Sequence, residues 1–176
     1  MAPRFFLARR HAGSLLKRGR VRRAPIPVEK LAALLGAEIV FQPFSGEISG
    51  IVYRNEDGTA VIGVNSSHSI QRQRFTIAHE IGHLLLHADE SLHVDKNFPI
   101  GLRDETSGKS VNQNEIEANQ FAAALLMPPN LIADDIKPFI GKDVLFAIRK
   151  LAKKYMVSEQ AMSIRLSSLH YVEMGE

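Results

Sequence analysis

The sequence predicts an α+β fold: one helix, a small sheet of mainly antiparallel strands, and then several further helices. Short runs rich in Ile, Val and aromatic residues lie between positions 38 and 65, and apolar residues recur at helical spacing after position 69. Strands and helices thus occupy separate parts of the chain, which is typical of α+β domains. The chain of 176 residues, 45% of them hydrophobic, is long enough for one domain with its own core.

The first 23 residues are strongly basic. They contain eight Arg and Lys residues and no Asp or Glu, so the rest of the chain is net acidic. Such a segment can bind nucleic acid, but it is more often a solvated tail. We therefore expect a basic N-terminal arm at 1–24 and a single domain at 25–176. The arm is expected to be partly helical and to pack loosely on the domain through Phe5, Phe6, Leu15 and Leu16.

Several classes of protein are excluded or disfavoured by what the sequence lacks. It has no cysteine, which excludes disulfides, thiolate zinc sites, iron–sulfur clusters and cysteine nucleophiles. No apolar run has the length needed to cross a bilayer, and no secretory signal is visible. These observations predict a cytoplasmic protein without a membrane partner, and they leave its oligomeric state unknown.

The first elements follow from local signals. A helix is expected between Pro27 and Gly36, because proline suits the first turn and glycine suits the position after the last turn. Strands are expected at 38–44, 47–54 and 59–65. The turn sequence Asn55-Glu56-Asp57-Gly58 joins the last two strands, which predicts a hairpin over residues 47–65.

The second half of the chain is predicted to be mostly helical. Helices are expected at about 69–88, 112–126, 142–155 and 158–169, and Ser158 is a suitable N-cap for the last. The polar stretch 90–110 is predicted to be a long loop, and long loops in compact domains are often functional.

Residues 142–170 also have the pattern of a helix-turn-helix, in which Arg165 would be exposed on the second helix. Alternatively, the two helices pack on the domain through apolar residues, namely Leu151, Val157, Ala161, Ile164 and Leu166. Only Lys153, Lys154 and Arg165 supply positive charge there, which is too little for several phosphate contacts. We therefore expect packing on the domain and no direct DNA binding.

The sequence His79-Glu80-Ile81-Gly82-His83 is an H-E-x-x-H motif. Two histidines four residues apart share one helix face and can bind the same metal ion. Glu80 is rotated by about a quarter turn, so it can act as general base on a metal-bound water. The alternative is a surface helix with two solvated histidines. Gly82 argues against it, because a glycine inside a helix costs about 1 kcal/mol and indicates close packing.

Catalytic zinc takes three protein ligands and one water, so a third ligand is needed. Glu115 and Asn119 share a helix face, which makes Glu115 a candidate ligand and Asn119 a candidate acceptor for the ring N–H of a ligating histidine. Glu117 is an alternative that spacing does not exclude. His87 lies about 12 Å along the helix from His79 and is not expected to bind the same ion.

The remaining histidines, His68, His93 and His170, have no partner at a ligand spacing, and we interpret them as ordinary surface or loop residues. A group that stabilises the oxyanion of the transition state is also expected. Tyr53, His93 and Arg103 are candidates by their chemistry alone, and nothing in the sequence ranks them.

Two long motifs of this sequence resemble the ImmA/IrrE family of metallopeptidases. They are Arg-Gln-Arg-Phe-Thr-Ile-Ala-His-Glu-Ile-Gly-His-Leu-Leu-Leu-His at 72–87 and Glu-Ile-Glu-Ala-Asn-Gln-Phe-Ala-Ala-Ala-Leu-Leu-Met-Pro at 115–128. The predicted strand segment Ile-Gly-Val-Asn at 62–65 is similar as well. The resemblance covers about residues 26–170. It implies a minimal zincin-like domain of the gluzincin type, with Glu115 as the third metal ligand.

The resemblance further implies a zinc-dependent metallo-endopeptidase that cleaves a helix-turn-helix (XRE-type) transcriptional repressor at one site. The alternative is a catalytically quiet metal-binding sensor or toxin–antitoxin partner with the same fold. The presence of His79, Glu80, His83 and Glu115 together favours the peptidase. Two histidines and a carboxylate favour one Zn²⁺ per chain, although Mn²⁺ accepts the same ligand types.

Overall fold

The computed structural model describes residues 4–45, 48–87, 92–96, 113–141 and 143–172. In this part of the chain the fold is α+β, as predicted, with one four-stranded sheet. The strands are β1 (Ala37–Gln42), β2 (Ile48–Arg54), β3 (Ala60–Asn65) and β4 (Leu92–Lys96). The helices are α1 (Phe5–Arg18), α2 (Val28–Ala33), α3 (Ile70–Leu86), α4 (Gln113–Leu126), α5 (Pro129–Asp135), α6 (Val144–Tyr155) and α7 (Glu159–Ser168), with a 3-10 turn at Lys137–Phe139.

The sheet has the strand order β1-β3-β2-β4. β1 runs parallel to β3, whereas β2 is antiparallel to both β3 and β4. The predicted hairpin is therefore confirmed as the β2–β3 pair. The prediction of a loop is wrong for residues 92–96, which form β4. Its five residues give no strong strand signal, and pairing with β2 stabilises the strand. The other residues of the predicted loop lie outside the described ranges.

Helix α1 is formed by the segment that we expected to be a loosely packed arm. Its buried residues are Ala8, Ala12 and Leu15, which belong to the main core, whereas Phe6 is 80% exposed. Small residues at positions 8 and 12 let α1 lie against α4. Of the four residues expected to pack, Leu15 is buried and Leu16 packs against the core, whereas Phe5 and Phe6 are exposed. The division into an arm at 1–24 and a domain at 25–176 stays a prediction.

Helix α3 lies in the centre of the fold, between the sheet and α4. Its apolar residues Ile77 and Ile81 are buried. Gly82 faces α4: a Cβ atom at this position would lie 3.1 Å from the Cα of Ala118. The glycine thus permits the close approach of α4 that its position inside a helix indicated. This approach brings the first turn of α4 next to the two histidines of α3.

The C-terminal helices α6 and α7 pack on the rest of the fold. Leu151, Val157, Ala161 and Leu166 are buried, and Ile164 is half-buried. Arg165 is buried too, and its Nε donates to the carbonyl oxygen of Met127 at 3.0 Å. The expected packing on the domain is therefore observed, and the alternative with an exposed Arg165 on a DNA-reading helix does not hold, because the guanidinium makes an internal contact. Among the described helices, none combines the length and apolar character that crossing a membrane requires.

Candidate metal centre

Four side chains from three elements converge beside α3. His79 and His83 project from α3, Glu115 from the first turn of α4, and His93 from β4. Their potential ligand atoms all lie within 4.8 Å of one another. Three of the four residues are buried and His93 is partly buried, so the cluster is screened from bulk water. Such a concentration of imidazoles around one carboxylate is typical of a transition-metal site.

Short separations join the inner atoms of His79, His83 and Glu115. The two Nε2 atoms lie 3.0 Å apart, and the carboxylate oxygens of Glu115 lie 3.2 Å from Nε2 of His79 and 3.4 Å from Nε2 of His83. Ligands of a tetrahedral zinc ion at about 2.0–2.1 Å are roughly 3.3 Å from one another. The three residues therefore fit zinc in both donor type and spacing.

Asn119 lies behind His79, one turn along α4 from Glu115. Its Oδ1 is 3.0 Å from Nδ1 of His79. An amide oxygen only accepts, so Nδ1 carries the proton and Nε2 presents its lone pair to the cluster. This is the contact that the shared face of Glu115 and Asn119 led us to expect. The orientation of the ring is thus fixed from α4, the helix that also supplies the carboxylate.

His93 belongs to the cluster, and the prediction of an ordinary surface or loop residue is wrong for it. Its ring stacks on that of His83 with a centroid distance of 3.5 Å, and its Nε2 is 3.1 Å from Oε1 of Glu115. The side chain is only 13% exposed. His93 pairs with Val52 across the β2–β4 ladder and thus points to the same side of the sheet. Only this strand pairing brings it to α3, so no spacing along the chain reveals it.

The ionisation of the cluster suits a cation. Burial alone would raise the pKa of Glu115, but its contacts with His79, His83 and His93 outweigh burial and hold the pKa well below its usual range. Burial lowers the pKa of His83 to about 4, against a smaller opposing effect of Glu115. At neutral pH the site therefore presents a carboxylate and a neutral imidazole, the forms that bind metal.

Glu80 lies beside the cluster on α3 and is completely buried. Both of its carboxylate oxygens are shielded from solvent. On the sheet side, Gly50 of β2 lies against the Glu80 side chain. A buried carboxylate next to a group of metal-ligand atoms is the arrangement expected of a general base.

Glu117 and His87, the other two residues considered as ligands, make contacts outside the cluster. Glu117 points to α1, where it accepts the backbone N–H of Arg4 at 2.7 Å and its guanidinium at 2.9 Å. His87 lies one turn beyond His83, and its Nε2 donates to the backbone oxygen of Asn114 at 3.1 Å. Neither residue belongs to the group of converging ligand atoms.

The other histidines and the oxyanion candidates have different positions. Tyr53 is 47% exposed and, by strand alternation, lies on the face of β2 opposite to Val52. His68 is half-buried before α3, and His170 is exposed after α7. Arg103 lies outside the described residues. His93 is thus the one of the three oxyanion candidates that the described structure brings to the cluster.

Comparison with known proteins agrees with this geometry. The family model described as the IrrE N-terminal-like domain matches residues 32–167. The chain is 40% identical over 101 residues to the radiation response metalloprotease IrrE of Deinococcus radiodurans. It is 46% identical over 101 residues to the protein of the same name from Deinococcus deserti.

Each of these alignments covers 56% of this chain, but only 28% and 32% of the two relatives. The chain thus corresponds to less than a third of their length. The family match is broader: it covers most of this chain and includes both motifs, the sheet and the C-terminal helices. The chain therefore belongs to the ImmA/IrrE family of metallopeptidases.

Proposed function

We propose that this chain is a zinc-dependent metallo-endopeptidase, with His79, His83 and Glu115 as metal ligands and Glu80 as general base. The observation that carries the proposal is the convergence of the ligand atoms within 4.8 Å, beside a fully buried carboxylate. A structural zinc site would need no acid at the position of Glu80. Three ligands also leave one coordination position for water or substrate, as catalytic zinc requires.

In this mechanism each residue has a separate task. His79, His83 and Glu115 would hold the metal, which would supply Lewis-acid activation of the attacking water and of the scissile carbonyl. Glu80 accepts a proton from the attacking water and delivers it to the leaving amine. Asn119 keeps Nδ1 of His79 protonated and its ring in place. His93, at the edge of the cluster, donates a hydrogen bond to the oxyanion.

The substrate that we propose is a helix-turn-helix transcriptional repressor of the XRE type, cleaved at one site in the cytoplasm. The named relatives are radiation response metalloproteases, which supports a regulatory rather than a degradative role. In the described part of the sheet, β4 is an edge strand and carries His93. An extended segment of the repressor can add beside such an edge, so that side-chain pockets select the bond.

The test compares the wild type with Glu80→Gln and with a His79→Ala, His83→Ala double variant. Each purified protein is incubated with zinc and a repressor encoded near its gene, and both metal content and cleavage are measured. We expect one zinc ion and one cut with the wild type, zinc without cleavage with Glu80→Gln, and neither with the double variant. Zinc binding by a wild type that cleaves no repressor would favour the metal-binding sensor instead.

A further control addresses specificity. Casein and other unfolded proteins are offered under the same conditions, with a chelator-treated sample as the blank. We expect little digestion of them, because a regulatory peptidase has to spare most cytoplasmic proteins. Rapid digestion of these substrates would contradict the proposed class of substrate while leaving the metallopeptidase itself intact.

A further inference from the structure

Gly50 of β2 lies directly against the side chain of Glu80. A Cβ atom at this position would be 2.4 Å from Cγ2 of Thr76, 2.8 Å from Oε1 of Glu80 and 3.4 Å from Cγ of Glu80. The first two distances are shorter than those that Cβ atoms keep from other heavy atoms in real structures. Any side chain at position 50 would therefore occupy the space that the Glu80 carboxylate and the Thr76 methyl group now fill.

The need for glycine here is one of space and not of backbone conformation. Gly50 does not have the positive φ of Gly36, Gly58 and Gly141, so other residues can adopt its backbone angles. An alanine at position 50 would thus meet no local strain. Its only difficulty would be the contact with α3.

The backbone of β2 has little freedom to move away from α3. β2 is an inner strand, in which Gly50 pairs with Val64 of β3 and with Asp95 of β4. The register of the β2–β4 ladder shifts between Ile48 and Gly50, and the intervening Ser49 accepts a hydrogen bond from Nη2 of Arg72 at 2.9 Å. Strand pairing on both sides and this contact with α3 hold the strand in place.

The side chains on α3 are consequently the ones that would yield. Thr76 and Glu80 are four residues apart and share the helix face that meets Gly50. Thr76 has a short, branched side chain with restricted χ1, whereas Glu80 has three rotatable bonds. The carboxylate of Glu80 is therefore the group that an added methyl would displace most easily.

We propose that Gly50 is a positioning residue for the catalytic carboxylate: its missing side chain creates the slot that holds Glu80 beside the metal ligands. This inference rests on the proposed role of Glu80 as general base. A displacement of a catalytic group by about 1 Å can cost on the order of 100-fold in rate. Gly50→Ala is thus expected to slow the chemical step without removing a ligand.

The experiment uses the full chain with Gly50→Ala, with Gly50→Ala combined with Thr76→Ser, and with Gly63→Ala as the matched control. Thr76→Ser removes the methyl group of the closest contact and leaves Glu80 as the remaining obstacle. Gly63 lies on the neighbouring strand, and a Cβ atom there would meet the ring of Phe44, 3.1 Å away, instead of α3. Zinc content, thermal stability, kcat, KM and zinc-loaded crystal structures are compared with the wild type.

We expect both Gly50 variants to bind zinc as the wild type does, with kcat about 100-fold lower and KM little changed. The second variant should regain thermal stability but not kcat, and the crystal structures should show a moved Glu80 carboxylate over an unmoved β2. Gly63→Ala should keep its kcat. An unmoved carboxylate, or a kcat that recovers together with stability, would overturn the positioning role.

The crystallographic comparison needs no substrate, so it separates this inference from the proposed function. If the wild type cleaves no peptide although Gly50→Ala moves Glu80, the peptidase proposal fails and the positioning of Glu80 by Gly50 stands. If the wild type cleaves and Gly50→Ala leaves both Glu80 and kcat unchanged, the peptidase stands and the positioning role fails.

Discussion

Oδ1 of Asn119 lies 3.0 Å from Nδ1 of His79, and this contact couples the two helices that supply the candidate metal ligands. Because the amide oxygen accepts the Nδ1 proton, Nε2 of His79 is left to face Glu115 at 3.2 Å. Asn119 and Glu115 are one turn apart on α4. One helix face therefore provides both a carboxylate for the metal and the acceptor that orients the opposing histidine.

The first prediction concerns this acceptor. Asn119→Ala is expected to weaken zinc binding about 10- to 100-fold, since loss of the hydrogen bond frees the His79 ring and its tautomer. Competition with a chromophoric chelator measures the affinity. Gln120→Ala, at the adjacent half-buried position of α4, is the control and should bind zinc as the wild type does. Equal affinities for both variants would contradict the orienting role.

The second prediction separates the two buried glutamates of α4. Glu115→Gln is expected to abolish tight zinc binding, because it removes the carboxylate that lies among the converging groups. Glu117→Gln should keep the zinc and instead lower the free energy of unfolding by about 1–2 kcal/mol, since Glu117 accepts hydrogen bonds from Arg4. Zinc titration and urea denaturation of both variants measure the two effects. The reverse assignment of effects would make Glu117 the third ligand.

The third prediction concerns His93. If its ring donates to the oxyanion, His93→Phe should retain zinc and lower kcat on the order of 100- to 1000-fold. Phenylalanine preserves an aromatic ring for the stacking on His83, which now has a centroid distance of 3.5 Å. Metal analysis and steady-state kinetics are measured on the same sample. A loss of zinc from this variant would show that His93 is a fourth ligand instead.

The sequence predicts the helical residues of the candidate metal centre better than it predicts the contribution of the sheet. His79, Glu80 and His83 lie on one helix, and Glu115 and Asn119 on another, so helical periodicity groups the residues of each helix. The choice of Glu115 over Glu117 comes from the family resemblance. His93 reaches the cluster through the pairing of β4 with β2, a contact that depends on strand register. Strand register is decided by tertiary packing, and the sequence of a five-residue edge strand contains little information about its register.

The N-terminal segment is a second case in which the sequence does not reveal the tertiary packing. Its many Arg and Lys residues dominate its composition and favour the interpretation as a solvated tail. The packing face of α1, in contrast, consists of Ala8, Ala12 and Leu15, of which two are small residues. Alanines contribute little to a hydrophobic pattern, yet they permit close contact between helices. The contact of Arg4 with the buried Glu117 likewise cannot be predicted from the sequence of this segment.

The fourth prediction tests this packing. Leu15→Ala is expected to lower the free energy of unfolding by about 2–5 kcal/mol, because Leu15 is 4% exposed and belongs to the main core. Leu16→Ala, at the adjacent half-buried position, should have a clearly smaller effect. Urea denaturation measures both. If neither variant is destabilised, α1 contributes nothing to the core and the segment behaves as a solvated tail.

The fifth prediction concerns the polar contact between α5 and α6. The hydroxyl of the fully buried Tyr155 donates to Oδ2 of Asp135 at 2.8 Å, and Nζ of Lys154 donates to Oδ1 of the same carboxylate at 2.6 Å. Tyr155→Phe keeps the ring in the core but removes one donor to Asp135. We expect it to lower the free energy of unfolding by about 1–2 kcal/mol near neutral pH.

The pH dependence of this difference provides a sharper test. Burial, together with the hydrogen bond to Asp135, raises the pKa of Tyr155 well above its ordinary value. Below about pH 10 the hydroxyl is protonated in both the folded and the unfolded chain, so its contribution to stability is fully present. Above that pH the unfolded chain loses the proton first, and the contribution decreases. Urea denaturation of wild type and Tyr155→Phe at neutral pH and at about pH 10.5 should therefore give a smaller difference at the higher pH. A difference that stays constant or grows would show that the hydroxyl ionises in the folded protein at least as readily as in the unfolded chain.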